Sequence, residues 1–466
     1  MIAHCTYQQN TRSAAIDKKR GRNSIGTRRL LPSVGWASYH KIMVDPHFEH
    51  RRQLEQLTAN QLTAYQLERL NRLLTAIRPH NRFYSEKLGM LQLPLQSLDG
   101  FSDFPFTYKE ELNPTSNSAS YASNLTFPPE NYIRFHRTSG TRGRPLIVMD
   151  TAKDWQWWVD TWQYVLDVAE LGAEDRAFLG FSFGPFIGFW SAFDAAVARG
   201  CLVIPAGGMN SIARLELMSS SRATVLFCTP SYALHLAEIA QQNQIDTTAL
   251  PVRRIIVAGE PGGSLPAIRN RIAQAWSAKV TDHAGASEIG PWGYADRDGR
   301  GLHVNEAEFI AEFLSVETGK PAAEGELSEL VLTTLGRTGC PVIRYRTGDL
   351  VRPTWSTNGD CRFVLLEGGV LGRVDDMMII RGVNIYPSAI EQILHSFPEV
   401  VEYRMTAHKT GEMDFLTIEV EDRLNAADRI AKELQLRLGL KIAVHCVPGG
   451  SLPRFEGKGN RFVDQR

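Results

Sequence analysis

The sequence of 466 residues has few cysteines and no surplus of either charge. Its six cysteines form no Cys-x-x-Cys pair, so no disulfide framework is indicated and a reducing, cytoplasmic location is expected. Basic and acidic side chains number 51 each, which argues against electrostatic capture by nucleic acid or by an anionic membrane. The chain also lacks internal repeats and low-complexity segments.

A hydrophobic run long enough to span a membrane is missing as well. The most apolar stretch, residues 177–193, is interrupted by three glycines and a proline, so a buried core segment is predicted. The first thirty residues contain seven basic residues and one acid. Residues 1–45 are therefore expected to form a disordered basic arm, with an organellar transit peptide or a misassigned start codon as alternatives.

What the sequence does contain is an alternation of β-rich and helical segments, which predicts an α/β lobe with largely parallel strands. The strand candidates are residues 177–183, 201–205, 224–228, 254–257 and 279–281, and the helix candidates are residues 154–168, 189–198, 231–242 and 265–275. Short strands between Gly and Pro turns follow, at residues 309–313, 329–333, 342–345 and 362–366. They predict a β-rich subdomain.

A compact α+β unit with a loop-like tail completes the chain. The predicted fold class is thus α/β, with a large N-terminal lobe at residues 46–372 and a small C-terminal α+β lobe at residues 373–466. The large lobe combines α/β subdomains with the β-rich subdomain.

The first segment that suggests chemistry is residues 136–145, His-Arg-Thr-Ser-Gly-Thr-Arg-Gly-Arg-Pro. Two glycines let the backbone fold tightly, so that several N–H groups point at one anion. Hydroxyl and guanidinium groups add donors to phosphate oxygens. The spacing is not that of a Walker loop, and a polar surface turn is the alternative.

Two acidic residues follow strand candidates. Glu288 comes after the 279–281 strand, in His-Ala-Gly-Ala-Ser-Glu, where α/β folds bind ligands, and a carboxylate there suits magnesium. Asp349, in Arg-Tyr-Arg-Thr-Gly-Asp-Leu, is able to accept hydrogen bonds from vicinal sugar hydroxyls. The alternatives are a solvated loop acid for Glu288 and a structural Arg–Asp pair for Asp349.

Two more segments complete the pattern, Gly-Arg-Val-Asp-Asp at residues 372–376 and Leu-Pro-Arg-Phe-Glu-Gly-Lys at residues 452–458. In this order and spacing, the five segments resemble the adenylate-forming superfamily of acyl-CoA synthetases, and especially its phenylacetate–CoA ligase branch. The resemblance extends from about residue 60 to residue 466. Its most specific stretches are RYRTGDL, GRVDDMMIIRGVNIYPSAIE and LPRFEGKGNR.

The resemblance implies an acid–thiol ligase with two half-reactions. A carboxylic acid attacks the α-phosphate of MgATP to give an acyl-adenylate and pyrophosphate, and the thiol of coenzyme A then displaces AMP. Residues 46–372 would be the AMP-binding domain and residues 373–466 a mobile domain. The expected partners are Mg²⁺, ATP, coenzyme A and a small carboxylic acid, with no nucleic acid or membrane, and a homodimer is left open.

The resemblance also assigns residues. Glu288 would hold magnesium, Asp349 the ribose, and Arg373 ribose or phosphate. Asp375 matches the hinge, and Lys458 matches the lysine that bridges the substrate carboxylate and the α-phosphate, so that the expected catalytic residues are Lys458, Glu288 and Arg373. The expected ATP- and AMP-binding residues are Thr138, Ser139, Gly140, Thr141, Gly143, Arg144, Ala258, Glu260, Pro261, Ala286, Ser287, Asp349 and Arg373.

Three departures from the family pattern stand out. Arg144 replaces the usual lysine of the phosphate loop, which changes the geometry but not the charge. Ala284 replaces the aromatic residue that stacks on adenine, with His283 or Trp292 as candidate substitutes. Of the zinc ligands of several relatives, only strong ligands at His303 and Cys361 remain, so no structural zinc is expected.

The substrate and the acceptor are less constrained. Aromatic residues that suit an aryl or arylacetic acid, or that simply pack the core, are Trp155, Trp157, Trp158, Phe181, Phe183, Phe186, Phe189, Trp190 and Tyr232. Two alternatives to a phenylacetate-like CoA ligase stay open. One is transfer of the acyl group to an amine or a carrier-protein thiol, and the other is a catalytically silent nucleotide-binding homologue.

Overall fold

The computed structural model describes residues 47–89, 91–114, 121–138, 145–355, 359–380, 383–410, 413–454 and 461–466. The basic arm predicted at residues 1–45 lies outside them. Helices come first: α1 (Phe48–Glu55), α2 (Ala59–Ile77), α3 (Arg82–Leu88) and the single turn α4 (Lys109–Leu112). Helix α2 begins with a capping box, in which Thr58 and Gln61 satisfy each other's main-chain N–H groups.

An antiparallel hairpin and an alternating α/β segment follow. The hairpin consists of β1 (Tyr132–Arg137) and β2 (Ile147–Thr151), on either side of the predicted phosphate loop. The alternating elements are α5 (Ala152–Val168), β3 (Arg176–Leu179), α6 (Ile187–Ala198), β4 (Leu202–Pro205), α7 (Ser211–Ser220), β5 (Val225–Cys228), α8 (Pro230–Gln242), β6 (Arg254–Val257), α9 (Pro266–Trp276) and β7 (Lys279–Ala286).

Strands alone make up the next part of the chain. They are β8 (Gly290–Ala295), β9 (Gly301–Val304), β10 (Phe309–Ser315), β11 (Ser328–Thr334), β12 (Tyr345–Val351), β13 (Pro353–Thr354), β14 (Leu365–Glu367) and β15 (Gly372–Arg373). Strands β10, β11, β12 and β15 form an antiparallel sheet in that order, which is the predicted β-rich part.

The central sheet has nine strands in the order β13-β14-β9-β8-β7-β6-β5-β3-β4. From β4 to β7 all neighbours are parallel, as the alternation predicted, and from β7 to β13 they are antiparallel. Helix α5 packs its tryptophans into the core beside this sheet, and Trp158 is 2% exposed. No helix within the described ranges is both long and apolar enough to cross a bilayer.

The C-terminal lobe has its own sheet and its own core. Its elements are β16 (Met378–Ile380), β17 (Val383–Ile385), α10 (Pro387–His395), β18 (Val400–Thr410), β19 (Met413–Asp422), α11 (Ala427–Leu438), β20 (Ala443–Cys446) and β21 (Phe462–Asp464). The sheet order is β20-β19-β18-β21. Ile390 and Leu394 of α10 pack with Ile418 of β19 and Ile430 of α11. The tail, expected to be loop-like, contains β21, which pairs with β18 in parallel.

Candidate active site

Two predicted binding segments lie at one edge of the central sheet. The loop of residues 258–261 follows β6, and Ala286, Ser287 and Glu288 end or follow the neighbouring strand β7. Both strands end at the same edge because they are parallel, and α/β sheets bind ligands outside that edge. The loop is held in place by Glu260, whose Oε1 accepts a hydrogen bond from the main-chain N–H of Ser231 at 2.7 Å.

Glu288 is buried and held by two side chains. The hydroxyl of Tyr345 donates to its Oε1 at 2.8 Å, and Nζ of Lys109 lies 3.5 Å from the same oxygen. Burial alone raises the pKa of Glu288, but Lys109, Tyr345 and Arg373 lower it, and the net shift is downward. The carboxylate is therefore ionised at neutral pH, as a metal-binding acid must be.

Lys109 is a site residue that the sequence did not reveal. It begins α4, and the residues before it pair with strand β12. Thr107 donates its N–H to the carbonyl of Arg344 at 2.8 Å and accepts from the N–H of Arg346 at 3.0 Å. This long-range pairing carries Lys109 to Glu288, and nothing in the local pattern around a single lysine signals it.

Asp349 and Arg373 come together although 24 positions separate them. They are paired across strands β12 and β15, with Nη1 of Arg373 donating to Oδ1 of Asp349 at 2.8 Å. Arg373 also donates to the carbonyl of Thr347 at 3.0 Å. Asp375 follows in an exposed turn, 3.7 Å from the Arg373 guanidinium. The predicted ribose, phosphate and hinge residues thus form one continuous group next to Glu288.

Only the two ends of the predicted phosphate loop are described. Thr138 is bonded across the hairpin to Leu146, with N–H to carbonyl at 2.9 Å and its hydroxyl accepting from the Leu146 N–H at 3.0 Å. The main-chain N–H of Arg137 donates to the carbonyl of Pro185 at 2.8 Å, so the loop entrance contacts the aromatic segment after β3. Ser139, Gly140, Thr141, Gly143 and Arg144 lie outside the described residues.

Lys458 also lies outside the described residues, in the gap 455–460. Both flanks of that gap are anchored on the small lobe. Arg454 pairs with Glu421 of β19 at 2.6 Å, and Arg461 pairs with Glu402 of β18 at 2.5 Å. Arg454 also lies 4.0 Å from Glu238 of α8, on the large lobe.

The small lobe interacts electrostatically with the loop of residues 258–261, which the resemblance assigns to nucleotide binding. Burial raises the pKa of Glu391 to about 7, with Arg461 opposing the shift and Glu260 adding to it. Glu260 of the loop 258–261 is therefore near enough to influence a carboxyl group on α10.

The two candidate substitutes for the adenine-stacking aromatic are buried. His283 packs against Trp162 with ring centroids 4.1 Å apart, and its Nδ1 lies 2.7 Å from the carbonyl of Gly293. Trp292 is 1% exposed within the large hydrophobic core. Neither ring is open to a bound adenine in this arrangement.

The stretch that aligns with the relatives' zinc ligands holds an ion pair. His303 places Nε2 3.3 Å from Oδ1 of Asp296 and Nδ1 3.0 Å from the carbonyl of Phe363. Cys361 lies near Tyr294, whose hydroxyl is 3.5 Å from Sγ. Within the described part of the chain, no three His, Cys, Asp or Glu side chains are arranged for a metal. That this enzyme has no structural zinc stays a prediction.

The candidate acyl-pocket aromatics fall into two groups. The tryptophans at positions 155, 157 and 158 and Tyr232 are buried in hydrophobic cores. The segment after β3 is more open at Phe186, which is 37% exposed, although Phe181 is buried in the large core. Phe181 and Phe189 stack with centroids 4.2 Å apart, and Phe183 and Trp190 meet edge-on at 4.8 Å. Both groups reach the phosphate-loop entrance: Trp155 stacks on His136 with ring centroids 5.5 Å apart, and Pro185 of the second segment accepts the hydrogen bond from Arg137.

Comparison with known proteins agrees with this arrangement. Residues 382–466 match the family described as AMP-binding enzyme C-terminal domain, so the small lobe is that of an adenylate-forming enzyme. Phenylacetate-coenzyme A ligase of Thermus thermophilus is 31% identical over 450 residues, covering 90% of this chain and 99% of that protein. The enzyme of the same name from Pseudomonas putida is 30% identical over 433 residues, covering 89% and 96%. The chain belongs to the phenylacetate–CoA ligase branch of the adenylate-forming superfamily.

Solved structures also match over both lobes. A 2-hydroxyisobutyryl-CoA ligase in the postadenylation state is 25% identical and superposes with a TM-score of 0.84, covering 91% of this chain and 94% of that chain. The same ligase in the thioesterification state superposes with a TM-score of 0.68, covering 90% and 94%. The lobes of the present structure are therefore arranged more like the former than the latter.

Proposed function

We propose that this enzyme ligates an aryl or arylacetic acid to coenzyme A at the expense of ATP, through an acyl-adenylate, releasing pyrophosphate and AMP. Membership of the phenylacetate–CoA ligase branch supports the reaction class. The observation that carries the proposal is that Asp349 and Arg373 pair at 2.8 Å on the antiparallel sheet, and that the same Arg373 lowers the pKa of Glu288. These residues supply a metal-binding acid, a hydroxyl acceptor and a phosphate-binding cation in one place.

Glu288 is the residue that would hold Mg²⁺. An ionised carboxylate oxygen is a ligand that Mg²⁺ prefers, and one or two protein carboxylates suffice because water and phosphate oxygens complete its shell. The ion would offset the negative charge of the triphosphate as the two anionic reactants approach. Tyr345 and Lys109 orient the carboxylate, and Lys109 supplies a cation beside it.

Asp349 and Arg373 would hold the nucleoside part of ATP. Asp349 accepts from the ribose hydroxyls, since an ionised carboxylate is an acceptor only. Arg373 neutralises Asp349 in the present structure and offers further N–H donors to ribose or phosphate. Lys458 would place its ammonium group between the substrate carboxylate and the α-phosphate, where stabilisation of developing charge is commonly the largest catalytic contribution.

The aromatic segment after β3 supports an aryl substrate. Its rings already meet in stacked and edge-on geometries, which a further ring is able to extend. The hydrogen bond from Arg137 to Pro185 places this segment beside the phosphate-loop entrance. An acid whose ring packs there would direct its carboxylate toward the triphosphate.

Rotation of the small lobe would separate the two half-reactions. The higher TM-score against the postadenylation structure than against the thioesterification structure supports a present arrangement suited to the first half-reaction. Asp375 lies in an exposed turn between the lobes, where a change of a few dihedral angles moves everything that follows. Lys458 would leave with the small lobe and admit the thiol.

ATP–pyrophosphate exchange over a panel of aryl, arylacetic and aliphatic acids tests the proposal. We expect exchange with aryl or arylacetic acids and thioester formation when coenzyme A is added. A preference for aliphatic acids contradicts the substrate class, and transfer only to amines or to a phosphopantetheinylated carrier contradicts the acceptor. Absence of exchange with every acid favours the catalytically silent alternative.

Lys458→Ala tests the assignment of the lysine. We expect a loss of adenylation on the order of 10²–10³-fold, while a supplied acyl-adenylate is still converted to thioester. An equal loss in both half-reactions contradicts the role of Lys458. The measurements are pyrophosphate exchange and thioester formation from purified acyl-adenylate.

A further inference from the structure

A fully buried arginine lies directly behind the predicted magnesium carboxylate. Arg337, in the loop between β11 and β12, is 0% exposed. Its Nη1 donates to the carbonyl of Ser287 at 3.1 Å and to the carbonyl of Glu288 at 3.0 Å. Its Nε donates to Oδ1 of Asp150 at 2.8 Å. One guanidinium thus contacts the main chain of the metal-binding turn and a carboxylate on another element.

That second element leads out of the phosphate loop. Asp150 belongs to β2, the strand that follows the loop in the hairpin, and it is also 0% exposed. Trp158 of α5 donates its indole N–H to the same oxygen at 3.2 Å. Arg337 therefore connects strand β2, which follows the predicted phosphate loop, with the turn that carries Glu288.

The loop that carries Arg337 has little freedom to move. The carboxylate of Asp154 accepts hydrogen bonds from the main-chain N–H groups of Thr338 at 2.7 Å and Gly339 at 3.0 Å. On the other side, a Cβ added to Gly336 would lie 2.1 Å from the indole of Trp157. The main chain on both sides of Arg337 is thus fixed against α5, and the guanidinium is held at a set distance from both partners.

The charge and shape of an arginine are both used. Burial alone lowers the pKa of Arg337, but Asp150 opposes this and the net shift is upward, so the group stays charged. A planar guanidinium bonds several acceptors at fixed angles, whereas a lysine ammonium is a point charge that does not reproduce this fork. Leaving buried carbonyls without donors is also costly.

We propose that Arg337 is a positioning residue for adenylation, holding the main chain of Ser287 and Glu288 in register with the strand that leaves the phosphate loop. The proposal rests on the proposed function, because it assigns Arg337 the task of setting the separation between the metal site and the triphosphate site. A misplacement of about 1 Å at such a site costs on the order of 10²-fold in rate.

The test compares Arg337→Lys with the wild type. We expect the rate of adenylation, measured by pyrophosphate exchange, to fall about 10²-fold. We also expect the half-saturating Mg²⁺ concentration to rise. We also expect calorimetry with a non-hydrolysable ATP analogue to show a smaller gain in affinity on adding Mg²⁺, with the metal-free affinity unchanged. Thioester formation from supplied acyl-adenylate is expected to stay within about twofold, since that half-reaction needs no triphosphate.

Arg51→Lys is the matched control. Arg51 is 6% exposed and binds the buried Asp167 through Nε at 2.7 Å, so it has the same kind of environment outside the site. We expect it to leave the Mg²⁺ dependence unchanged. Asp150→Asn, which removes the opposite charge and keeps the shape, is expected to change the Mg²⁺ dependence in the same direction as Arg337→Lys and by less.

Three results would overturn the proposal. They are wild-type Mg²⁺ dependence in Arg337→Lys, an equal loss in both half-reactions accompanied by a lower melting temperature, or the same Mg²⁺ effect in Arg51→Lys. Absence of pyrophosphate exchange in the wild type contradicts the proposed function instead, and the analogue-binding comparison still tests Arg337.

Discussion

The two halves of the candidate site are held in different ways. Glu288 is 8% exposed, and its carboxylate and main chain are contacted by three side chains from distant segments, Lys109, Arg337 and Tyr345. Asp375, by contrast, lies in an exposed turn after the two-residue strand β15. A buried network resists rearrangement, whereas an exposed turn changes conformation at lower cost.

This difference matches the demands of the two half-reactions. In the proposed function, Glu288 would hold the metal and would have to keep its position relative to the triphosphate, because the electrostatic benefit depends on preorganised groups. The proposed rotation of the small lobe would require its connector to change conformation between adenylation and thioester formation. The buried group and the exposed turn are therefore expected to respond differently to substitution.

The largest expected effect is at the buried half. Glu288→Gln keeps the shape and removes the charge, so we expect adenylation to fall on the order of 10²–10³-fold. Thioester formation from supplied acyl-adenylate should change little. The check is pyrophosphate exchange at several Mg²⁺ concentrations. Near-normal exchange in the variant would show that Glu288 does not hold the metal, and its burial would then have no bearing on adenylation.

Asp349→Asn tests whether the Asp349 carboxylate, which lies between Glu288 and the exposed turn in the proposed site, binds the ribose. Hydrogen bonds to a charged group contribute about 1.5–3 kcal/mol, so losing the ribose contacts should weaken AMP binding about 10- to 100-fold. Calorimetric titration with AMP measures this. The exposed Asp99→Asn serves as the control, with unchanged affinity expected. Unchanged AMP affinity in Asp349→Asn would mean that the carboxylate serves only as the partner of Arg373.

A smaller and more selective effect is expected in the exposed half. Asp375→Pro restricts the backbone at the turn, and we expect thioester formation to fall about tenfold more than adenylation. Asp375→Ala keeps the backbone free and should retain both rates. Stopped-flow or quench measurements of the separate half-reactions provide the comparison. Equal rates for the proline variant and the wild type in both steps would exclude rotation about this turn.

A pH titration extends the comparison to His303 and Asp296, a buried pair that is not among the residues expected to bind nucleotide. Burial alone lowers the pKa of His303, but Asp296 and then Cys361 raise it, to about 10, from about 6.5 in an unfolded chain. The stabilisation is therefore complete below pH 6.5 and is lost as the pH rises toward 10. Urea denaturation midpoints should fall over that range, and less steeply in Asp296→Asn. Midpoints that do not depend on pH would show that the pair adds no stability.

Much of the fold was predictable because its signals are local. The alternation of apolar strands and amphipathic helices predicted the parallel strands in nearly their observed positions, for example 254–257. The strand predicted at 342–345 was wrong by several residues, since β12 begins at Tyr345. Arg344, just before it, has φ +47°, which interrupts an extended chain. Helix α7 was missed although Asn210 supplies its N-cap, accepting from the N–H of Ala213 at 2.9 Å.

The residues of the candidate site likewise divide into those with a local sequence signal and those without one. Glu288, Asp349 and Arg373 lie in continuous motifs, so a resemblance was enough to single them out. Lys109 and Arg337 reach Glu288 only through pairing of segments far apart in the chain. A lone lysine at the start of a short helix and a lone arginine in a glycine-containing loop are ordinary surface patterns. Burial and long-range geometry, which the sequence does not display, distinguish them.

The hydrogen bond between the main chains of Arg137 and Pro185 has a thermodynamic consequence. It makes the wall that would receive the acid and the entrance to the triphosphate loop direct neighbours, so ordering one of them favours order in the other. This coupling is reciprocal. If bound acid raises the affinity for nucleotide by some factor, bound nucleotide must raise the affinity for acid by the same factor. The ternary complex of enzyme, acid and nucleotide would then be more populated than the separate affinities predict. The binary complexes with acid alone or nucleotide alone would be less populated.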